Sequence, residues 1–147
     1  MKDIKEFISQ NDKFAIHCGI RLLEVSPGAA TAKMVVQDKH LNGLKLVHGG
    51  AIFTLADLAF AAAANSREQV AVGINATVCY IRPAGTGNIL YARAREIFST
   101  RTLSGYNVDV ENEAGELIAT FQGTAFKKLN IYIIQRKITN VHPSDST

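Results

Sequence analysis

Asn42-Gly43-Leu44-Lys45-Leu46-Val47-His48-Gly49-Gly50, running on into Ala51-Ile52-Phe53-Thr54-Leu55-Ala56-Asp57-Leu58-Ala59-Phe60, decides the fold. A polar, glycine-containing loop leads into a segment, Ala51 to Asn65, that is apolar on almost every side. A helix hydrophobic all round is one that the rest of the protein covers. It is short of the roughly 20 residues that a bilayer-spanning helix needs. It is therefore expected at the centre of a core and not in a membrane. One carboxylate, Asp57, sits in the middle of it. A charge in such surroundings is costly unless it is paired, hydrogen-bonded or reached by solvent. An expensive group in the most apolar segment is the first pointer to function.

Outward from this helix the pattern changes on both sides. Ile4, Phe7, Ile8, Phe14 and Ile16 fall near helical spacing, which predicts an amphipathic helix over residues 3 to about 17, interrupted around Asn11-Asp12. Ile20 to Val25 reads as a strand and Ser26-Pro27-Gly28 as a turn. Ala29 to Val36 returns with Ala30, Ala32, Met34 and Val36 on one face. After the central helix the period is two. Val70, Val72, Ile74, Ala76, Val78 and Tyr80 alternate, then Ile89 to Phe98, Leu103 to Val110 and Leu117 to Phe126, separated by turn residues. Consecutive hairpins imply an antiparallel sheet. Only the central helix is apolar enough to cover its inner face. The expected class is α+β, a curved antiparallel sheet wrapped around one long helix. Residues 1–128 form one domain, and 129–147 a C-terminal extension without an assigned role.

Composition bounds the function. At 147 residues the chain is large enough for one proper core, and its 47% apolar and 20% charged residues are ordinary for a soluble globular domain. A net charge of +3 with no long basic run gives no nucleic-acid footprint. The charged start, Met1 to Glu6, has no signal-peptide apolar core. Cys18 and Cys79 form no CxxC pattern, so a reducing cytoplasm is the expected setting. His17, His40, His48 and His142 show no metal-ligand spacing, and no metal is expected.

With the elements placed, Leu41-Asn42-Gly43, His48-Gly49-Gly50, Leu55-Ala56-Asp57 and Asn65 read together as N-x-x-x-x-x-H-G-G-x-x-x-x-L-A-D. Asn75-Ala76-Thr77 and Tyr80-Ile81-Arg82-Pro83-Ala84 follow. The chain resembles the hotdog-fold thioesterases of the PaaI (phenylacetyl-CoA thioesterase-like) type over residues 5 to about 128. The resemblance implies hydrolysis of an acyl-CoA, often one with an aromatic acyl group, by a homodimer that pairs into a homotetramer. Asp57 matches the catalytic carboxylate. Gly49 matches the glycine whose N–H polarises the thioester carbonyl, and Asn11 an asparagine that assists in the site. Asn42, His48, Gly50, Asn75, Arg82, Pro83 and Arg101 stand as candidate substrate contacts. Arg82 and Arg101, near turns, are the first choices for the CoA phosphates. No bound cofactor is implied, since the CoA belongs to the substrate.

The residues suit that chemistry on physical grounds. A helix N-terminus offers unpaired N–H groups and positive dipole charge, and glycines let a ligand approach the backbone closely. Asp57 can act as a base on water or attack directly; no G-x-S-x-G is present. Gly49 and Asp57 are eight residues apart, about 12 Å along a helix. A carbonyl donor and a base must both lie about 3 Å from one reacting group. One helix cannot supply both, whereas two antiparallel helices from two protomers can. Other readings stay open. His48 can shape the start of the helix, Asn42 can be a turn residue, and Asn11 can serve as a helix cap. The whole domain could be a non-catalytic acyl-CoA-binding module or a hotdog enoyl-CoA hydratase.

Overall fold

The computed structural model describes residues 3–128, so the C-terminal extension lies outside the described residues. Two short helices come first, α1 (Ile4–Asn11) and α2 (Lys13–His17). Asp3 starts α1 by accepting from the Lys5 amide, and Asp12 starts α2 by accepting from Ala15. The expected interruption at Asn11-Asp12 is thus a new cap. The apolar side of this pair is only partly covered: Phe7, Phe14 and Ile16 remain exposed.

Six strands follow around the long helix α3 (Gly49–Ala64): β1 (Ile20–Ser26), β2 (Ala29–Val35), β3 (Ala71–Tyr80), β4 (Ile89–Ser99), β5 (Leu103–Glu111) and β6 (Leu117–Lys127). They form one sheet, ordered β1-β2-β4-β5-β6-β3, in which every pairing is antiparallel. Helix α3 lies against all six strands. Register explains how it lies so close. The row Ala32, Ala92, Val110, Ala119 crosses β2, β4, β5 and β6, and every member is buried. Ala56, Ala59, Ala62 and Ala63 of the helix are buried in the same core as these sheet residues. The opposite face of the sheet is polar: Arg93 pairs with Glu111 and Arg95 with Asp109. Exposed pairs of this kind stabilise by at most about 1 kcal/mol each. Among the described residues no helix is long and apolar enough to cross a membrane.

Strand β3 departs from the expected alternation. It is an edge strand, and a bulge between Gly73 and Asn75 slips its register against β6. Val72 and Ile74 are 41% and 58% exposed. Among the described residues no strand pairs with its far edge. An edge strand of ten residues with apolar side chains is a template for another chain.

Phe60 locks α3 to the sheet. It is 2% exposed and meets the rings of Tyr106 and Phe121 at 5.6 and 5.7 Å. Its slot exists because Gly73 and Gly123 lack side chains; a Cβ on either would come within 2.9 Å of the ring. Phe60→Ala is expected to cost about 3–5 kcal/mol of stability, read from the shift of the denaturant midpoint.

Candidate active site

The loop before α3 is built by its own polar residues. Asn42 Oδ1 accepts from the amides of Leu44 and Leu46 at 2.9 and 3.2 Å. This Asx-type turn lets Lys45 take a positive φ of 61°. Asn42 therefore does turn work, and also lines a hollow described below. The Val47 amide donates to the Ala84 carbonyl at 2.9 Å, tying the loop to the Arg82-Pro83 segment.

Buried His40 straps the loop to the N-terminal helices. Its Nδ1 accepts from the Gln37 amide at 2.9 Å, and its Nε2 lies 2.6 Å from the Cys18 carbonyl. A ring that accepts at Nδ1 and donates at Nε2 is the neutral imidazole in one tautomer. The His40 carbonyl in turn accepts from the His48 amide at 2.7 Å.

His48 is the N-cap of α3, and its Nδ1 accepts from the Gly50 amide at 2.8 Å. Gly50 N–H is therefore occupied. Gly49 N–H has no acceptor among the described residues. An unpaired donor at the positive end of a 16-residue helix is suited to a developing negative charge. Tyr80 fixes that peptide. Its hydroxyl donates to the Gly49 carbonyl at 2.9 Å, and a Cβ on Gly49 would stand 2.9 Å from its ring. The glycine is thus required by close approach.

Two hollows open beside this contact. One, of about 470 Å³, is lined by Asn42, Leu46, Ile52, Arg82 and Pro83 with Gly49. The other, of about 570 Å³, is lined by Phe14, Leu41, His48, Phe53 and Thr54 with Gly50. Tyr80 belongs to both. Arg82 is held on the rim by donating to the Leu117 carbonyl at 2.9 Å.

Asp57 corrects one expectation. The helix is covered on all sides but one, and Asp57 is exposed in the single chain. Gly50, Phe53, Thr54, Asp57, Ala61 and Ala64, none of them fully buried, recur at helical spacing. The sheet covers the other faces of α3, which leaves this stripe open. Exposure is one-sided, however. Desolvation by the surrounding protein raises the Asp57 pKa above the ordinary aspartate value, and the negative charge of Asp12 raises it further.

The other candidates are dispersed. The Asn11 side chain donates to the Phe7 carbonyl at 2.8 Å within its own helix. Its neighbour Asp12 is the one whose charge reaches Asp57, a role not read from the sequence, where Asp12 marks the break between helices. Asn75 is exposed beside the β3 bulge. Arg101 lies in the turn between β4 and β5, at the far end of the sheet. Its neighbour Thr102 bonds Lys127, Lys127 pairs with Ala71, and Ala71 bonds Asn65 at the end of α3. Within one chain Arg101 is not brought to the His48 end. The sequence shows Tyr80 only as the end of an alternating strand, because a hydrogen bond between residues 31 positions apart leaves no trace in a linear pattern.

Asp12→Asn keeps a residue that caps helices as well as aspartate does while removing the charge. A cause that raises the Asp57 pKa is then gone. Carbon NMR of the Asp57 carboxyl should show it titrating at lower pH in the variant than in the wild type.

Comparison with known proteins follows the same geometry. Residues 44–119 match the model of the thioesterase superfamily. The chain is 33% identical over 118 residues to the acyl-coenzyme A thioesterase PaaI of Escherichia coli, spanning 80% of this chain and 84% of that protein. The solved structure of the Escherichia coli PaaI protein from the phenylacetic acid degradation operon superposes with a TM-score of 0.82 at 31% identity, covering 84% of this chain and 90% of that one. The TT0310 protein of Thermus thermophilus superposes with a TM-score of 0.77 at 39% identity, covering 80% and 99%. A Streptococcus mutans protein solved with bound acetyl CoA superposes at 0.71 with 27% identity, covering 74% and 88%.

Proposed function

Because this chain belongs to the thioesterase superfamily and is a thioester hydrolase with the hotdog fold, we propose that it hydrolyses an acyl-CoA at two composite sites in a homodimer. The free Gly49 N–H at the start of α3, with Asp57 on the same helix's open stripe, carries this reading. The two groups lie about 12 Å apart along the axis, too far to serve one carbonyl. The unpaired edge of β3 and the open stripe of α3 offer a second copy both a strand and a helix to meet. With the helices antiparallel, each Asp57 faces the partner copy's counterpart of Gly49. Two such dimers would make the homotetramer. The free thiols of Cys18 and Cys79 suit a cytoplasmic setting.

The Gly49 N–H binds the thioester oxygen and stabilises the negative charge that develops there. Asp57 takes a proton from water as the hydroxyl oxygen bonds to the carbonyl carbon. The C–S bond then breaks, and that proton goes to the departing thiolate. In the alternative course the carboxylate attacks the carbonyl carbon, the C–S bond breaks to leave an Asp57–acyl mixed anhydride and a thiolate, and water opens the anhydride to the free acid and the carboxylate, giving one proton to the thiolate. Its raised pKa makes Asp57 a stronger base than an ordinary aspartate. The site needs no metal in either course. The acid limb of kcat/KM should follow the Asp57 titration: activity falls as pH drops through it and the base is protonated.

Subunit mixing tests the composite site. Asp57→Asn and Gly49→Pro are each expected to lower thiol release from acyl-CoA by a factor of about 100 or more. Heterodimers carrying one variant on each subunit keep one intact pair and should regain about half of wild-type activity. Because a side chain at Gly49 also crowds the Tyr80 ring, heterodimers that stay inactive while melting as the wild type does would refute the arrangement. A binding module would leave acyl-CoA intact in the wild type, and a hydratase would consume the double bond of an enoyl-CoA.

A further inference from the structure

We propose that Tyr80 is a partition that assigns the two arms of the substrate at Gly49, the acyl group to the Phe14–Phe53 side and the thiol-bearing arm to the Arg82 side. The proposal rests on the reading of Gly49 as the carbonyl donor. A thioester carbonyl has two substituents that diverge from one carbon. Bound by its oxygen at the Gly49 N–H, it must send them in two directions. Gly49 lines the Arg82-side hollow, its neighbour Gly50 lines the Phe14-side one, and Tyr80 is the wall they share.

The hydroxyl of Tyr80 holds the wall in place through its 2.9 Å bond to the Gly49 carbonyl. The ring stands so close to Gly49 that no side chain fits between them. The walls on either side differ in chemistry. Phe14, Leu41 and Phe53 give one hollow an apolar lining. Its cation, Lys39, is turned to the end of α2, where its Nζ donates to the His17 carbonyl at 3.0 Å. The other hollow is also apolar along Leu46, Ile52, Ile81 and Pro83, and differs in having Arg82 on its rim, with one guanidinium nitrogen bonded to Leu117 and the residue exposed. An acyl chain gains by leaving water for the first. A flexible arm with amides and phosphates is matched by the second, where arginine meets phosphate.

Thiol release from a panel of acyl-CoAs of increasing size, and calorimetric binding of free CoA, test the assignment. Tyr80→Phe keeps the wall and removes its tether. It should lower kcat by roughly two- to tenfold, the worth of one neutral hydrogen bond, and leave the ranking of acyl groups unchanged. Tyr80→Ala removes the wall and should flatten that ranking, with bulky acyl groups gaining relative to small ones. Arg82→Ala should weaken free CoA binding, and Phe14→Ala should leave it unchanged while altering the acyl ranking. An unaltered ranking in Tyr80→Ala with a native melting transition would overturn the proposal. So would free CoA binding weakened by Phe14→Ala and not by Arg82→Ala. Full turnover in Asp57→Asn would instead defeat the catalytic reading, and the CoA-binding pair would still decide the partition.

Discussion

The architecture depends on how closely α3 can approach the sheet. Both the helix and the sheet bury alanines in that shared core, and Phe60 enters a slot opened by two glycines. Small side chains let one helix lie against six strands and leave little room for anything else. Burial on those faces fixes the rotation of α3 about its own axis. That rotation determines which residues are left over. The open stripe through Gly50, Phe53, Asp57, Ala61 and Ala64 is therefore a consequence of packing on the other sides. The same packing holds the start of the helix beside Tyr80, on the last residue of β3.

The loop before the helix divides its labour among neighbours. Asn42 shapes the turn, His40 ties it to the corner after α2, and His48 occupies the Gly50 amide. A helix begins with several unpaired N–H groups. Here one of them is satisfied by the cap and the Gly49 N–H is left without an acceptor among the described residues. Leaving a donor unpaired costs free energy unless water or a ligand meets it. In the proposed mechanism that cost is offset in the transition state, where charge on the carbonyl oxygen strengthens the hydrogen bond.

How much of this could be read from residues alone follows from the range of the interactions. The order of helices and strands was legible because periodicity and turn residues act locally. The break at Asn11-Asp12, the cap at His48 and the small face of β2 are all written within a few positions. The motif around Gly49 and Asp57 was legible for the same reason. The exposure of Asp57 was not. An apolar sequence says that a helix wants cover, and cannot say whether the cover comes from its own chain. The bulge at Gly73–Asn75 defeated the alternation of β3, since a single skipped residue moves side chains to the other face. Tyr80 and Asp12 act on α3 from distant segments, and only the folded chain brings them there.

These points bear on why the carboxylate stands on the open stripe. In the sealed core an aspartate would be desolvated on all sides and hold its proton through the working pH range. On a freely solvated surface it would titrate as an ordinary aspartate and be a weak base. The stripe is intermediate: the chain itself supplies part of the desolvation and the Asp12 charge, and the proposed dimer closes the rest. A second helix laid antiparallel on the stripe removes water from Asp57 and brings up a positive dipole end. Desolvation raises the pKa of the carboxylate and the dipole lowers it. The two shifts oppose each other, so association can dry the site without locking the proton onto the base. The proposed arrangement ties catalytic competence to assembly: a lone chain holds the proposed donor and base on one helix, about 12 Å apart, too far to bring both to a single carbonyl.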